Sequence, residues 1–237
     1  MLGKEAMNLI DRYTYRNFVK SSICKVYDTL EYGFNHPFSS LKHKSHLSTV
    51  QFIEDTCPRA LPCRSPKKLV DLALSSLMKP GLILEFGVFK GDSLRYIAKK
   101  KPQRELHGFD SFEGLSEAWV SNAKGAFDVG GRLPKVPNNV NLWKGYFEDS
   151  LPAWAQTHDQ PISFIHIDCD LNSSTKTIFE ILADRVNTGT VLLFDDYFNF
   201  PGWEQDGHAV FTQFVEKFGW EVSYLGYAYK ELAVIIV

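Results

Sequence analysis

Apolar positions along this chain fall into two kinds of run. Leu82–Phe86, Ile162–Ile167 and Val191–Phe194 are short and almost unbroken, which suits strands buried on both faces of a parallel sheet. Less regular strand patterns lie at 105–109 and 140–143, and two more close the chain at 221–229 and 232–237. Between them, apolar residues recur at three- and four-residue spacing over about 65–78, 92–101, 148–156, 173–186 and 207–218, predicting helices. Strand alternating with helix implies a doubly wound, mostly parallel α/β sheet of seven strands. The last two strands are too close for a crossover helix and should pair antiparallel.

Residues 1–64 read as a separate helical extension. Met7, Ile10, Phe18, Ile23 and Leu30 recur at helical spacing, with an apolar face wide enough for self-association. Gly33 and Pro37 end that run, and His36, His43 and His46 read as a Ser- and His-rich connecting loop. The sheet domain would occupy 65–237, with an insertion at 112–139 too long for a plain connection and placed to form a lid.

Composition narrows the partners. With 44% hydrophobic and 23% charged residues, the chain is ordinary for a soluble globular protein. A net charge of -2 gives no electrostatic case for nucleic acid or an anionic membrane. No apolar run predicts a membrane span or a signal peptide. The four cysteines, Cys24, Cys57, Cys63 and Cys169, lack zinc-ligand spacing and fit a reducing, cytoplasmic setting.

The candidate chemistry gathers where strands end. After the strand at 82–86 the chain reads Glu85-Phe86-Gly87-Val88-Phe89-Lys90-Gly91-Asp92-Ser93, a glycine turn leading into a helix. A dinucleotide site would read G-x-G-x-x-G and hold pyrophosphate on backbone N–H groups. A carboxylate at the strand end suits a cationic cofactor instead, such as S-adenosylmethionine. In that frame Gly87→Val should block the cofactor and leave the fold intact. Asp110 ends the next strand, where an acidic residue can take ribose hydroxyls, and Tyr146 in Gly145-Tyr146-Phe147 could lie against adenine. Asp168, Asp170, Asp195 and Asp196 end adjacent strands, and such proximity is costly without a cation. Oxygen ligands alone select Mg²⁺ or a similar hard divalent ion.

These stretches, together with Gly108-Phe109-Asp110-Ser111-Phe112-Glu113-Gly114, His166-Ile167-Asp168-Cys169-Asp170 and Phe194-Asp195-Asp196-Tyr197, resemble the macrocin O-methyltransferase (TylF-type) family over about 80–237. The resemblance implies a class I, Rossmann-like methyltransferase fold. It also implies a Mg²⁺-dependent transfer from S-adenosylmethionine to a hydroxyl of a small molecule of sugar or natural-product type. It places cofactor contacts on Glu85, Gly87, Phe89, Gly91, Ser93, Asp110, Ser111, Gly145, Tyr146 and Phe147, and metal on Asp168, Asp195 and Asp196. Catalytic roles fall on Asp168, with Asp170 and His208 as candidate bases. The chain departs from the family in carrying Asn172 where Tyr is usual. An N-methyltransferase on this scaffold, a nicotinamide enzyme and a non-catalytic cofactor-binding module are the alternatives; a homo-oligomer is expected.

Overall fold

The computed structural model describes residues 36–237, so the expected helix and self-association face at 7–30 lie outside the described residues. The chain divides into a unit Met1–Lys44 and a larger unit Ser45–Val237 that carries the sheet.

The first element corrects the sequence reading. Residues expected to form a His-rich loop are helix α1, Pro37–Thr56, with Pro37 opening its first turn, where its missing N–H is no loss. Its buried positions are polar, Ser45 and Thr49. Thr49 Oγ1 accepts from the Asn199 backbone N–H at 2.9 Å, and the Trp203 indole N–H donates to Ser48 Oγ at 2.9 Å. Only Phe52 and Ile53, near the end of the helix, add apolar packing on the core, which is too little for an apolar stripe to read.

Strand β1 (Leu61–Pro62) and helix α2 (Pro66–Ser75) follow, α2 being capped by the Ser65 hydroxyl on the Lys68 N–H. The alternating core then runs β2 (Leu82–Phe86), α3 (Asp92–Lys100), β3 (Leu106–Asp110), β4 (Val140–Lys144), α4 (Phe147–Thr157), β5 (Ile162–Ile167), α5 (Asn172–Leu182), β6 (Val191–Phe194), α6 (Gly207–Phe218), β7 (Val222–Tyr227) and β8 (Leu232–Ile236). The sheet order is β1-β7-β8-β6-β5-β2-β3-β4. Only β8 runs against its neighbours, as expected. The count is eight rather than seven because the two-residue β1 adds to the edge at β7.

Side chains of successive strand residues point to opposite faces, and each face has its own core. Ile83, Phe164, Val191 and Ala233 pack with Leu69 and Ala73 of α2 and Leu94 and Ile97 of α3. Leu84, Phe86, Ile165, Ile167, Leu192 and Phe194 pack with α4, α5 and α6 through Trp154, Phe179 and Phe211. In the first of these faces the register sets Glu85 beside His166, and His166 beside Leu193. Two ionisable groups thus sit where the surrounding pattern is apolar. Among the described residues, no helix is long and apolar enough to cross a membrane.

Candidate active site at the carboxyl edge of the sheet

Seven parallel strands end at one edge, and the antiparallel β8 begins there, so the turn before it delivers Lys230 and Glu231 to the same place. A cleft of about 610 Å³ opens at this edge. Gly87, Phe89, Asp110 and Ser111 line it from β2 and β3, and Tyr146, Phe147 and Glu148 from the start of α4. Asp168 and Asp170 come from β5, Asp195 and Asp196 from β6, and Lys230 from the β7–β8 turn. The insertion supplies a wall through Gly114, Leu115, Ser116, Trp119, Asn122 and Phe127. It is tied down by Trp119 Nε1 donating to Asp206 Oδ2 at 2.8 Å and Ser173 Oγ donating to Glu117 Oε1 at 2.8 Å.

Asp110 holds the glycine loop. One of its carboxylate oxygens accepts the Val88 and Phe89 N–H groups at 2.8 and 2.7 Å, and the other accepts Phe112 N–H at 2.6 Å. Phe89 and Phe112 both have left-handed backbones, φ 49° and 57°, which these bonds help to sustain. The loop's own amides are therefore committed to a carboxylate. A pyrophosphate would need them free.

Gly87 proves to be a packing requirement. A Cβ there would lie 1.7 Å from the Asp168 carbonyl oxygen, at φ 92°. The expectation that Gly87→Val would block a ligand while sparing the fold is therefore corrected: the obstruction is backbone, between the ends of β2 and β5. Gly91, at φ 77°, allows the turn into α3, whose Ser93 hydroxyl donates to Glu85 Oε1 at 2.9 Å.

Glu85 is fully buried, and its other oxygen lies 3.0 Å from His166 Nδ1. An ionised carboxylate only accepts, so Nδ1 carries the proton. Burial pulls the His166 pKa down, but the Glu85 bond and the charges of Asp195 and Glu231 raise it overall. One ligand atom of each of His166, Asp168 and Asp195 lies within 4.8 Å of the others. Burial, then Asp195, pushes the Asp168 carboxyl well above its usual range; burial also raises Asp195, partly offset by His166. Asp170, at φ 60°, is pushed up to about 7 by burial and by Asp196. Asp196 instead pairs with Lys230, Oδ1 to Nζ at 2.7 Å. Burial alone would lower the Lys230 pKa, but Asp196 and its neighbours raise it, keeping the ammonium charged. A smaller cavity of about 350 Å³, lined by Ser93, Tyr96, His166, Asp168, Asp195 and Glu231, shares two of these aspartates with the cleft.

Three residues depart from the sequence reading. His208 is not brought to the cleft: Nδ1 lies 2.8 Å from the Tyr197 hydroxyl, and its ring packs against Phe52 and Trp203. Burial lowers its pKa. Its place near the start of α6 faces α1, a neighbour the sequence did not reveal. Conversely, His166 had been passed over, although its i, i+2 spacing from Asp168 marks both as sharing a strand face. Lys230, 34 positions from Asp196, left no local signal.

A second polar group, Glu105, His107 and His158, has metal-like spacing. His107 Nδ1 accepts the indole N–H of both Trp143 and Trp154, at 3.0 and 3.1 Å. That assigns the neutral ring's proton to Nε2, leaving this nitrogen no lone pair for an ion.

Residues 84–197 match the family model of the methyltransferase domain. The calicheamicin methyltransferase CalS11 has a similar fold: 18% identity over 84% of this chain and 90% of that one, with a TM-score of 0.59. The O-methyltransferase NovP aligns at 18% identity over 71% of this chain and 79% of that one, with a TM-score of 0.54. No curated protein matches the chain. Residues 84–197 thus carry a methyltransferase domain, on the fold that these structures share. The matched segment runs from the strand carrying Glu85 to Tyr197 and so includes every aspartate of the cluster.

Proposed function

We propose that the chain is an S-adenosylmethionine-dependent O-methyltransferase acting, with a divalent cation, on a hydroxyl of a small molecule. The observation that carries the cofactor reading is the fate of the loop amides: Val88 and Phe89 N–H are held by the Asp110 carboxylate. Such a site disfavours a pyrophosphate and suits a cofactor with a cationic end. Asp168, which lines the cleft, would face that end. Tyr146 and Phe147 offer aromatic surface for a base, and Asp110 keeps one lone pair, on Oδ1, available to a ribose hydroxyl while it pins the loop.

S-adenosylmethionine supplies an electrophilic methyl group on a sulfonium. A divalent cation at Asp168 and Asp195, Mg²⁺ or a similar ion, would favour the ionised form of an acceptor hydroxyl. The donor set fits such an ion, because buried, mutually repelling carboxylates are stabilised by positive charge between them. The protein's own contribution is position. Ser116, Asn122, Ser173 and Ser174 present hydrogen-bonding groups to a hydroxylated acceptor, while Trp119 and Phe127 present ring faces. Asp170, raised to about 7, is placed to take a proton near neutral pH. The insertion at 112–139 would act as the lid that excludes water.

The motif resemblance to macrocin-type enzymes supports a sugar or natural-product acceptor. So does the solved fold relative described as a TDP-rhamnose 3'-O-methyltransferase. The test is transfer of an isotopically labelled methyl group from S-adenosylmethionine to a panel of nucleotide sugars, glycosides and phenols, read by mass spectrometry. A methyl ether on any of them supports the reading. Methylation only of amines would establish the N-methyltransferase alternative.

A further inference from the structure

We propose that the ion of this centre is held by His166, Asp168 and Asp195, that Lys230 keeps Asp196 out of the ligand set, and that the set prefers Mn²⁺ or Co²⁺ to Mg²⁺. The inference deepens the metal-assisted reading above and rests on it. His166 and Asp168 stand two apart on one strand edge and so share a face, and each has a ligand atom within 4.8 Å of one on Asp195. The His166 Nδ1–H is taken by Glu85, which leaves Nε2 as the nitrogen able to ligate. A carboxylate behind a histidine is the usual support of a metal-binding imidazole, since it fixes ring orientation and tautomer. Glu85 is itself fixed by Ser93.

Asp196 is engaged elsewhere. Its Oδ1 holds the Lys230 ammonium at 2.7 Å, and that ammonium also lies 5.6 Å from the Trp119 ring centre. Backbone bonding of Tyr197 N–H to the Lys230 carbonyl at 2.9 Å fixes the turn that carries it. Moving Asp196 onto an ion would strip the lysine of its partner. With imidazole replacing a third carboxylate, the set moves from the hard oxygen ligands Mg²⁺ demands towards those suiting first-row transition ions.

The test uses the unmodified protein freed of metal. Mn²⁺ is titrated in and followed by electron paramagnetic resonance. Expected are one ion per chain, a ¹⁴N modulation in the spin echo of the bound ion, displacement by Co²⁺, and retention against an equal concentration of Mg²⁺. Bound Mn²⁺ without nitrogen modulation, displacement by equimolar Mg²⁺, or no binding would each overturn the proposal. Asp196→Asn should hold Mn²⁺ within about threefold of the unmodified protein. Asp195→Asn should weaken it by at least about tenfold. Equal losses in the two variants would restore the all-carboxylate set. Calorimetry with S-adenosylhomocysteine on the metal-free protein separates the two readings. Cofactor binding without ion binding sinks this proposal alone. Ion binding with nitrogen modulation but no cofactor binding supports it and counts against the methyltransferase reading.

Discussion

Gly87→Ala should destabilise the protein far more than its single added carbon suggests. The new Cβ would stand 1.7 Å from the Asp168 carbonyl oxygen and 2.6 Å from its carbon. Reaching van der Waals separation requires a displacement of about 2 Å between the ends of β2 and β5. One backbone bond spans that junction, Asp168 N–H to Phe86 O at 2.8 Å, and a second, Gly87 N–H to Phe109 O at 2.9 Å, ties the same end of β2 to β3. Their loss costs about 1 kcal/mol each, and the left-handed backbone adds about 1–2 kcal/mol for any residue with a Cβ. The total is about 3–4 kcal/mol, a large share of an ordinary domain's 5–15 kcal/mol. Gly202→Ala is the matched control: its φ is 87° and nothing lies within 4 Å of its built Cβ. It should cost only the conformational part. Urea unfolding of the two variants measures the difference. Equal shifts in midpoint would refute the claim that the two strand ends close on each other at Gly87.

Other outcomes follow from the same geometry. Asp195→Asn should abolish methyl transfer while leaving S-adenosylhomocysteine binding within a few-fold, and a chelator should do the same reversibly. Calorimetry beside the labelled-transfer assay checks this; full turnover in excess chelator would contradict it. Burial, with a smaller effect of His158, pulls the His107 pKa down to about 4. Its folded-state pKa is thus below the unfolded value of about 6.5, so stability is present above pH 6.5 and lost as pH falls towards 4. The loss should reach on the order of 3 kcal/mol. The raised carboxyls of Asp168 and Asp170 act in the opposite sense, so the readout is the difference in pH slope from His107→Gln; identical slopes would count against it. Thr49→Val should cost about 1 kcal/mol in urea unfolding, because the half-buried Asn199 N–H loses its acceptor.

Where burial dictated residue type, the sequence was readable. The strands at 82–86, 162–167 and 191–194 are buried at every position, so apolar runs broken only by Glu85, Ser163 and His166 marked their ends to the residue. The cleft's aspartates were readable for a related reason, since parallel strands must end at one edge. Helix α1 was not readable, because Ser48 and Thr49 meet the domain through hydrogen bonds, Phe52 and Ile53 alone add apolar packing, and Leu41, Leu47 and Val50 are exposed. Strand β1 is too short to show a period. The site's tertiary partners were hidden for a third reason. Asp110 could be assigned to an edge, but its bonds to Val88 and Phe89 depend on how the loop folds back. Lys230 reaches Asp196 only because β8 reverses direction.

The central claim is that the Glu85–Ser93 loop and its acidic edge hold S-adenosylmethionine rather than a phosphate-bearing dinucleotide. Calorimetric titration of the purified protein with S-adenosylhomocysteine, and separately with NAD⁺, tests it most directly. The account predicts saturable one-to-one binding of S-adenosylhomocysteine and no heat with NAD⁺. Saturable binding of NAD⁺ with none of S-adenosylhomocysteine would contradict it.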